Sequence, residues 1–175
     1  MKKIIKLLAV SLVLATVMLS STSCGLLTAG IFESLANDSA DDALSTEEQF
    51  YYLVSDTKEL LDKVSGDVNG NWYGAIYNGD FNGNMDKAIE SAFNENEKNI
   101  TNIKSNNEQI IELYREIRDS GSYILYDAQS VIISYNAYYV STLEVSNKTY
   151  EFYSSTTQST SLDFSIALKN YYVEL

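Results

Sequence analysis

Apolar residues recur at steps of three and four positions over residues 50–64, which is the spacing of one buried face on an α-helix. Ser45 precedes this stretch, and Glu48 stands three positions after Ser45. These two residues fit a capping box, in which each side chain accepts a hydrogen bond from the other's free backbone amide. The pattern predicts a first helix that begins after Ser45 and ends near Ser65-Gly66. Its apolar face is formed by Phe50, Leu53, Val54, Thr57, Leu60, Leu61 and Val64.

A second helical pattern runs through residues 84–119, where apolar positions again follow steps of three and four. Asn96 and Asn107 interrupt this face, and the residues between them are largely polar. Such asparagines either fix the register of a bundle or mark a helix that its neighbours cover only in part. We expect one long helix that ends at Ser120-Gly121. Its face comprises Met85, Ile89, Ala92, Asn96, Ile100, Ile103, Asn107, Ile110, Tyr114 and Ile117.

Residues 122–175 fit two patterns. Positions 124–152 follow a helical rhythm of four- and three-residue steps, whereas positions 131–139 also alternate as in a β-strand rich in tyrosine and β-branched residues. We favour helix because the segment contains neither glycine nor proline, and a sheet of this length would need several turns. A bend near residues 154–161 would then lead into a last helix. This last helix carries Leu162, Ile166, Lys169 and Val173.

The three patterns predict an all-α fold, an antiparallel bundle of three or four helices with a Gly/Asn-rich loop at residues 66–84. Three Asn-Gly pairs, the last at residues 82–83, give this loop a dense set of turn signals. The bundle domain would occupy residues 45–175. The alternative is an α+β fold with strands after residue 122.

The N-terminal residues follow a different order, with positive charge first, then an apolar run, then small residues. Three lysines stand within the first six positions, a mostly apolar stretch spans residues 7–19, and small residues lead up to Cys24. This is the three-part layout of an export signal. The apolar stretch is shorter than the roughly 20 residues that a membrane-spanning helix needs.

The small residues before Cys24 resemble the lipobox of bacterial lipoproteins, with Ser21 at a position where leucine is common. The resemblance covers residues 1–25 only. It implies that the signal peptide, residues 1–23, is cleaved and that the Cys24 thiol receives a diacylglycerol, after which the new amino terminus is acylated. Gly25 replaces the aspartate that retains some lipoproteins in the inner membrane, which implies the outer membrane.

By the same resemblance, residues 24–44 form a lipidated tether between the anchor and the bundle. Several acyl chains hold a protein durably on a bilayer, since each buried methylene contributes about 0.8 kcal/mol. The implied location is the bacterial cell envelope, and the lipid bilayer is the partner of the acyl anchor.

Composition and charge exclude several functional classes. The chain of 175 residues carries 12 Lys+Arg against 24 Asp+Glu, a formal net charge of −12, with no histidine, no proline and one cysteine. A single cysteine forbids an internal disulfide, and the lack of histidine removes the usual zinc, haem and Ser-His-Asp chemistries. The acidic balance lacks the basic footprint of a nucleic-acid-binding protein. Loss of the signal removes three lysines and no acids, which leaves 9 positive against 24 negative side chains and deepens the charge to −15.

The acidic residues do not form an evident catalytic pair. Glu47 and Glu48, or Asp41 and Asp42, are adjacent in sequence and point apart on a helix. Glycoside hydrolysis, by contrast, needs two carboxylates that face one cleft. We therefore predict a non-enzymatic envelope lipoprotein with a structural or partner-binding role, whose partner is an unknown envelope protein or ligand.

Oxygen-bearing side chains repeat in residues 67–90 and suggest an alternative function. Residues 66–71, Gly-Asp-Val-Asn-Gly-Asn, recur as residues 79–84, Gly-Asp-Phe-Asn-Gly-Asn. Oxygen ligands at every second position resemble calcium loops of the EF-hand and dockerin type, although neither copy has the glycine and glutamate of those loops at positions six and twelve. A turn-rich loop explains the same residues. The alternative is a small-ligand or calcium-dependent binding module centred on residues 67–90. Its candidate ligands are Asp67, Asn69, Asn71, Asp80, Asn82, Asn84 and Asp86.

Aromatic residues in the same region form a second candidate site. They either pack over the end of the bundle or present a patch that binds a sugar or a partner protein. These residues are Trp72, Tyr73, Tyr77 and Phe81. Nine of the fourteen tyrosines lie after residue 121, where they either form the edge of the core or line a ligand channel between helices.

Overall fold

The computed structural model describes residues 44–175, in which every regular element is helical. Helices α1 to α5 span Thr46–Tyr73, Met85–Glu95, Glu97–Ser120, Leu125–Leu143 and Tyr150–Glu174. The predicted all-α bundle is therefore confirmed, and no strand follows residue 122 in the described part of the chain. Cys24, the signal-like residues 1–23 and the tether up to residue 43 lie outside the described residues.

The helices form a four-membered antiparallel bundle in which α2 and α3 together make one member. Around the bundle the order is α1, the α2–α3 member, α4 and α5, and α5 closes back on α1. Side-chain hydrogen bonds fix these pairings: Tyr171 to Glu47 carbonyl at 3.1 Å, Asn106 to Thr57 at 2.9 Å, and Tyr135 to Asn107 at 3.1 Å.

Helix α1 begins as predicted and ends later than predicted. The hydroxyl of Ser45 accepts from the Glu48 amide at 3.1 Å, and the Glu48 carboxylate accepts from the Ser45 amide at 2.8 Å. The predicted end near Ser65-Gly66 is wrong, because α1 continues to Tyr73 and the irregular segment begins at residue 74 instead of 66. Burial of an apolar side chain contributes about 1.5–3 kcal/mol, which outweighs the roughly 1 kcal/mol that a helical glycine costs. The side chains that hold this part of α1 to the core are Val64, Val68 and Trp72.

The predicted long helix over residues 84–119 forms, but Asn96 divides it into α2 and α3. The backbone there departs from helical values, with φ −104° and ψ 16°. Asn96 is buried, and its side-chain amide donates to the Asp67 carboxylate at 2.8 Å and to the Ala92 carbonyl at 2.9 Å. The asparagine thus satisfies the broken end of α2 and ties the break to α1.

The helical rhythm after residue 122 is confirmed for α4 and fails beyond it. Residues Ile124, Ala128, Val131, Tyr135, Tyr138 and Thr142 are all buried. The predicted bend at residues 154–161 is wrong, since the chain turns at residues 144–149 and α5 is continuous. Asn147 supplies this turn with a left-handed backbone, φ 62°, and Thr149 then caps α5 by accepting from the Phe152 amide at 3.2 Å.

Helix α5 buries a different face from the one predicted for the last helix. Leu162, Ile166 and Val173 are 61%, 51% and 71% exposed. The buried face carries Tyr153, Thr157, Phe164, Ala167, Leu168 and Tyr171.

Four tyrosines lie fully inside the bundle with their hydroxyls paired. Besides the bonds that Tyr135 and Tyr171 make between helices, Tyr138 donates to the Asp62 carboxylate at 2.7 Å and Tyr153 to the Thr142 carbonyl at 3.1 Å. A buried hydroxyl needs such a partner, because an unpaired one carries the full cost of lost hydration. Four of the nine tyrosines after residue 121 are therefore core residues, whereas Tyr123, Tyr126 and Tyr172 are exposed.

Candidate functional site

The end of the bundle after α1 is built by irregular backbone over residues 74–84. A π-turn spans Gly74–Asn78, and a 3₁₀ turn spans Asp80–Gly83. Gly79 separates the two with φ 74°, a conformation that glycine adopts at low cost. The Asn84 side chain accepts from the Lys87 amide at 3.0 Å and starts α2. The predicted turns thus form in the second half of the predicted loop.

Trp72 is the anchor of this end and belongs to the core. It is 5% exposed, and its ring lies 6.0 Å from that of Tyr150 and 5.8 Å from that of Tyr153, centroid to centroid. Its indole N–H is buried and has no hydrogen-bond acceptor among the described residues. Two roles were considered for these aromatic residues, packing over the end of the bundle or presenting a binding patch. Trp72 packs.

Tyr73 and Tyr77, by contrast, form an exposed pair. They are 48% and 57% exposed, and their ring centroids lie 4.6 Å apart. Tyr150 from α5 lies 6.1 Å and 6.4 Å from the same two rings and connects them to the Trp72 side. Phe81 is half-buried and adopts a left-handed backbone with φ 55°. Two of the four predicted aromatic residues are thus well placed for an outside partner.

A groove of about 550 Å³ lies beside this pair and is lined in part by Tyr150, which contacts both rings. Its walls are mostly apolar, and Ile76 and Met85 contribute exposed side chains, 38% and 46%. The residues that line it are Trp72, Ala75, Ile76, Gly83, Met85, Lys148, Thr149, Tyr150 and Glu151. We call Tyr73, Ile76, Tyr77, Met85 and Tyr150 the aromatic end surface.

Lys148 supplies the positive charge of the groove. Its ammonium donates to the Ser141 carbonyl at 3.3 Å and lies 5.7 Å from the centroid of the Tyr153 ring. Burial lowers the pKa of Lys148, and the nearby Glu144 carboxylate opposes part of that shift. The ammonium is therefore partly desolvated and held in place.

The first three predicted calcium ligands lie on α1 and not on a loop. Asp67 pairs with Lys63 at 3.0 Å and accepts from Asn96, and these contacts, the Asn96 hydrogen bond first, lower the pKa of the Asp67 carboxyl. The Asn69 amide donates to the Ser65 carbonyl, and the Asn71 amide to the Ala88 carbonyl. The interpretation of residues 66–71 as a loop is wrong, since these residues are helical.

The other four candidate ligands lie beyond α1 on exposed positions. Asp80 and Asn82 belong to the 3₁₀ turn, Asn84 caps α2, and Asp86 stands in its first turn. Within residues 44–175, no three acidic, histidine or cysteine side chains come together as a group that could hold a metal ion. Calcium binding stays a prediction.

A second groove, which the sequence did not indicate, lies between α1 and α5 with α4 beneath it. It measures about 530 Å³ and is lined largely by small polar side chains. At its floor the Asp62 carboxylate accepts from Tyr138 at 2.7 Å and from Ser161 at 3.1 Å, while Lys58 pairs with the other oxygen at 2.7 Å. Burial, with the Asp62 charge, raises the pKa of Tyr138 to about 12. These groups satisfy one another, so they hold three helices together.

Sequence reasoning missed Tyr150, Lys148 and Met85 at the aromatic end. They reach it only because α5 and α2 begin beside the end of α1. No local pattern in the sequence marks residues brought together in this way.

No protein-family model matches the chain, and no match is found among the curated proteins or the solved structures. Among the helices of residues 44–175, none combines the length and the apolar run that crossing a membrane requires.

Proposed function

We propose that this chain is a lipid-anchored protein of the bacterial cell envelope, held in the outer membrane through Cys24, whose helical bundle binds a partner through the aromatic end surface. The role is non-enzymatic. The lipobox-like residues before Cys24 support the anchor, and the geometry of the bundle supports the binding role.

The observation that carries the binding role is the position of the aromatic end surface relative to the start of α1. The chain enters the bundle at Leu44, and α1 then runs unbroken for 28 residues, the last of which is Tyr73 of the surface. At 1.5 Å per residue the two ends of α1 lie about 42 Å apart. The separation between the aromatic end surface and the point at which the tether enters the bundle supports a binding role for this surface.

The chemistry of this surface suits a protein partner with apolar side chains. Half-exposed tyrosines beside an apolar groove are the kind of anchors that dominate binding energy at protein interfaces.

The anchor is tested by replacing the cysteine. In Cys24→Ala, incorporation of a metabolic palmitate analogue should be lost and the protein should leave the membrane fraction. Ser23→Ala is the matched control, because it keeps a small residue before the cysteine and should behave as wild type. Unchanged acyl labelling and fractionation in Cys24→Ala would show that the lipoprotein assignment is wrong.

The binding role is tested separately with the anchor intact. The double variant Tyr73→Ser/Tyr77→Ser should lose an envelope partner that wild type recovers after cross-linking and affinity purification. Tyr52→Ser is the control, since Tyr52 is 52% exposed but lies near the start of α1. Circular dichroism checks that all variants fold. Equal recovery by the double variant and the control would contradict the assignment of the surface.

A further inference from the structure

The rings of Tyr73 and Tyr77 form the closest aromatic pair among residues 44–175, with centroids 4.6 Å apart and planes tilted by 42°. They are also the only two tyrosines in ring contact within this part of the chain that are both exposed. Every other contacting tyrosine pair there includes a ring that is buried or half-buried. Close contact and access from outside therefore coincide at this one pair.

The backbone holds the two rings together. Tyr73 is the last residue of α1, and Tyr77 stands four positions later in the π-turn Gly74–Asn78. Side chains four residues apart on a helical backbone lie on the same side. The Gly79 amide donates to the Gly74 carbonyl and closes the turn. Because the rings are held in contact, a reaction between them is intramolecular and is favoured over a reaction with another molecule.

Two rings behind this pair are poor places for the loss of an electron. Trp72 is 5% exposed, and its indole N–H has no acceptor among residues 44–175. Tyr153 is fully buried and donates its hydroxyl to the Thr142 carbonyl, which does not take up a proton. The Lys148 ammonium, 5.7 Å from the centroid of the Tyr153 ring, opposes a positive charge there. Either ring, once oxidised, keeps a positive charge that burial makes costly.

Tyr150 connects the buried rings to the exposed pair. Its ring centroid lies 6.0 Å from that of Trp72 and 6.1 Å from that of Tyr73. Electrons pass readily between aromatic rings at such separations. At Tyr73 and Tyr77 the phenol proton can leave to water, because both side chains are about half exposed. An electron vacancy created anywhere in this cluster therefore settles on the exposed pair.

We propose that Tyr73 and Tyr77 are a site of oxidative modification, at which a one-electron oxidant joins the two rings as dityrosine. Each phenol gives one electron to the oxidant and its hydroxyl proton to water, which leaves two phenoxyl radicals. These radicals couple through a new bond between carbons ortho to the two oxygens. The hydrogen on each of those carbons then leaves as a proton, and each oxygen takes one up to restore the phenol. Two equivalents of oxidant are consumed, and the product has two hydrogen atoms fewer. The proposal depends on neither the anchor nor a binding partner.

The test exposes the full-length protein to a one-electron oxidant generated by light from a ruthenium tris-bipyridine complex and persulfate. The protein is kept dilute to disfavour coupling between molecules. Trypsin cuts after Lys63 and Lys87, so Tyr73 and Tyr77 are the two tyrosines of the peptide 64–87. By mass spectrometry this peptide should lose two hydrogen atoms and give no fragments from cleavage between the two tyrosines. It should also show the fluorescence of dityrosine, which a link between tyrosine and tryptophan lacks.

Matched variants locate the reaction. Tyr77→Phe keeps the ring but has no phenol to oxidise, so peptide 64–87 should lose the dityrosine signal. Tyr52→Phe is the control, because Tyr52 is also exposed and its ring lies 5.5 Å from that of Tyr51, and the yield at 64–87 should stay unchanged. Circular dichroism should show the same helix content in each variant. A cross-link that persists in Tyr77→Phe, one that forms mainly at Tyr51, or oxygen added to Trp72 in its place would overturn the proposal. So would an equal yield from protein unfolded in urea, because the folded contact would then have no part in the reaction.

Discussion

Single polar side chains determine where the helices of this bundle break and how they join. Asn96 is buried at the break between α2 and α3, and its amide bonds both the Ala92 carbonyl and the Asp67 carboxylate. The sequence showed a polar residue within an apolar face. It could not show whether that residue sets a register, lies exposed or ends a helix, because the answer depends on Asp67, 29 positions away.

Asn96→Ala should lower the free energy of unfolding by about 1–3 kcal/mol, because it removes a buried side-chain amide that donates to both the Ala92 carbonyl and the Asp67 carboxylate. Urea denaturation measures the change. Asn94→Ala, at an exposed position on the same helix, is the control and should stay within about 0.5 kcal/mol of wild type. A loss for Asn96→Ala no greater than that of the control would contradict this role.

The hydroxyl of Tyr138 has a comparable role between α1 and α4. It donates to the Asp62 carboxylate at 2.7 Å and contacts the buried Ser65 hydroxyl at 2.9 Å. Tyr138→Phe should therefore cost about 1.5–3 kcal/mol of unfolding free energy, the usual loss for a hydrogen bond to a charged group. Tyr126→Phe removes a hydroxyl from a residue that is 79% exposed and should have little effect in the same urea experiment.

At the scale of elements, the sequence predicts features that depend on neighbouring residues, but it does not predict features that depend on contacts between distant helices. The start of α1 follows from Ser45 and Glu48, which contact each other within one turn. Its end does not follow from the nearby glycines, because Trp72 is held to the core by Tyr150 and Tyr153 from α5. Packing between distant elements overrides a weak local preference.

A glycine inside a helix and a glycine with positive φ give opposite expectations for the substitution to alanine. Gly66 is helical with open space where a Cβ would lie, so Gly66→Ala should raise the free energy of unfolding by about 0.5–1 kcal/mol. Gly79 has φ 74°, so Gly79→Ala should lower it by about 1–2 kcal/mol. Thermal melting monitored by circular dichroism compares them. A destabilising Gly66→Ala would mean that α1 ends near residue 65 after all.

The face that α5 buries could not be chosen from its sequence. Leu162, Ile166 and Val173 are spaced for one helical face, and Tyr153, Phe164 and Tyr171 are spaced for another. Both sets are apolar enough to form a core. Tyrosine occurs both at the surface and in protein cores, so its presence does not show which face is buried. The contacts of Phe164 with Tyr135 and Tyr138 on α4 decide the matter. The same limit applies to the aromatic end surface, where Tyr73 and Tyr77 were predicted and Tyr150 was not.

At the scale of the whole molecule, the interior depends on tyrosines that must remain protonated. Burial raises the pKa of Tyr138 to about 12, and the Asp62 carboxylate adds to the rise. Burial likewise raises the pKa values of Tyr135, Tyr153 and Tyr171, which belong to α4 and α5 and lie along the length of the bundle. In the unfolded chain each of these hydroxyls returns to an ordinary pKa of 10.0.

These shifts predict that the bundle loses stability in alkali. Between pH 10 and about 12 the unfolded chain releases tyrosine protons that the folded chain keeps, so stability is fully present below pH 10 and falls as the pH rises through this range. Each buried tyrosine contributes a slope of up to about 1.4 kcal/mol per pH unit. Urea denaturation at one pH below 10 and at several above it measures the slope. Tyr138→Phe removes one titrating group, so its unfolding free energy should start lower than that of wild type and fall less steeply with pH. Parallel slopes for the two proteins would show that Tyr138 ionises equally easily in the folded and unfolded states.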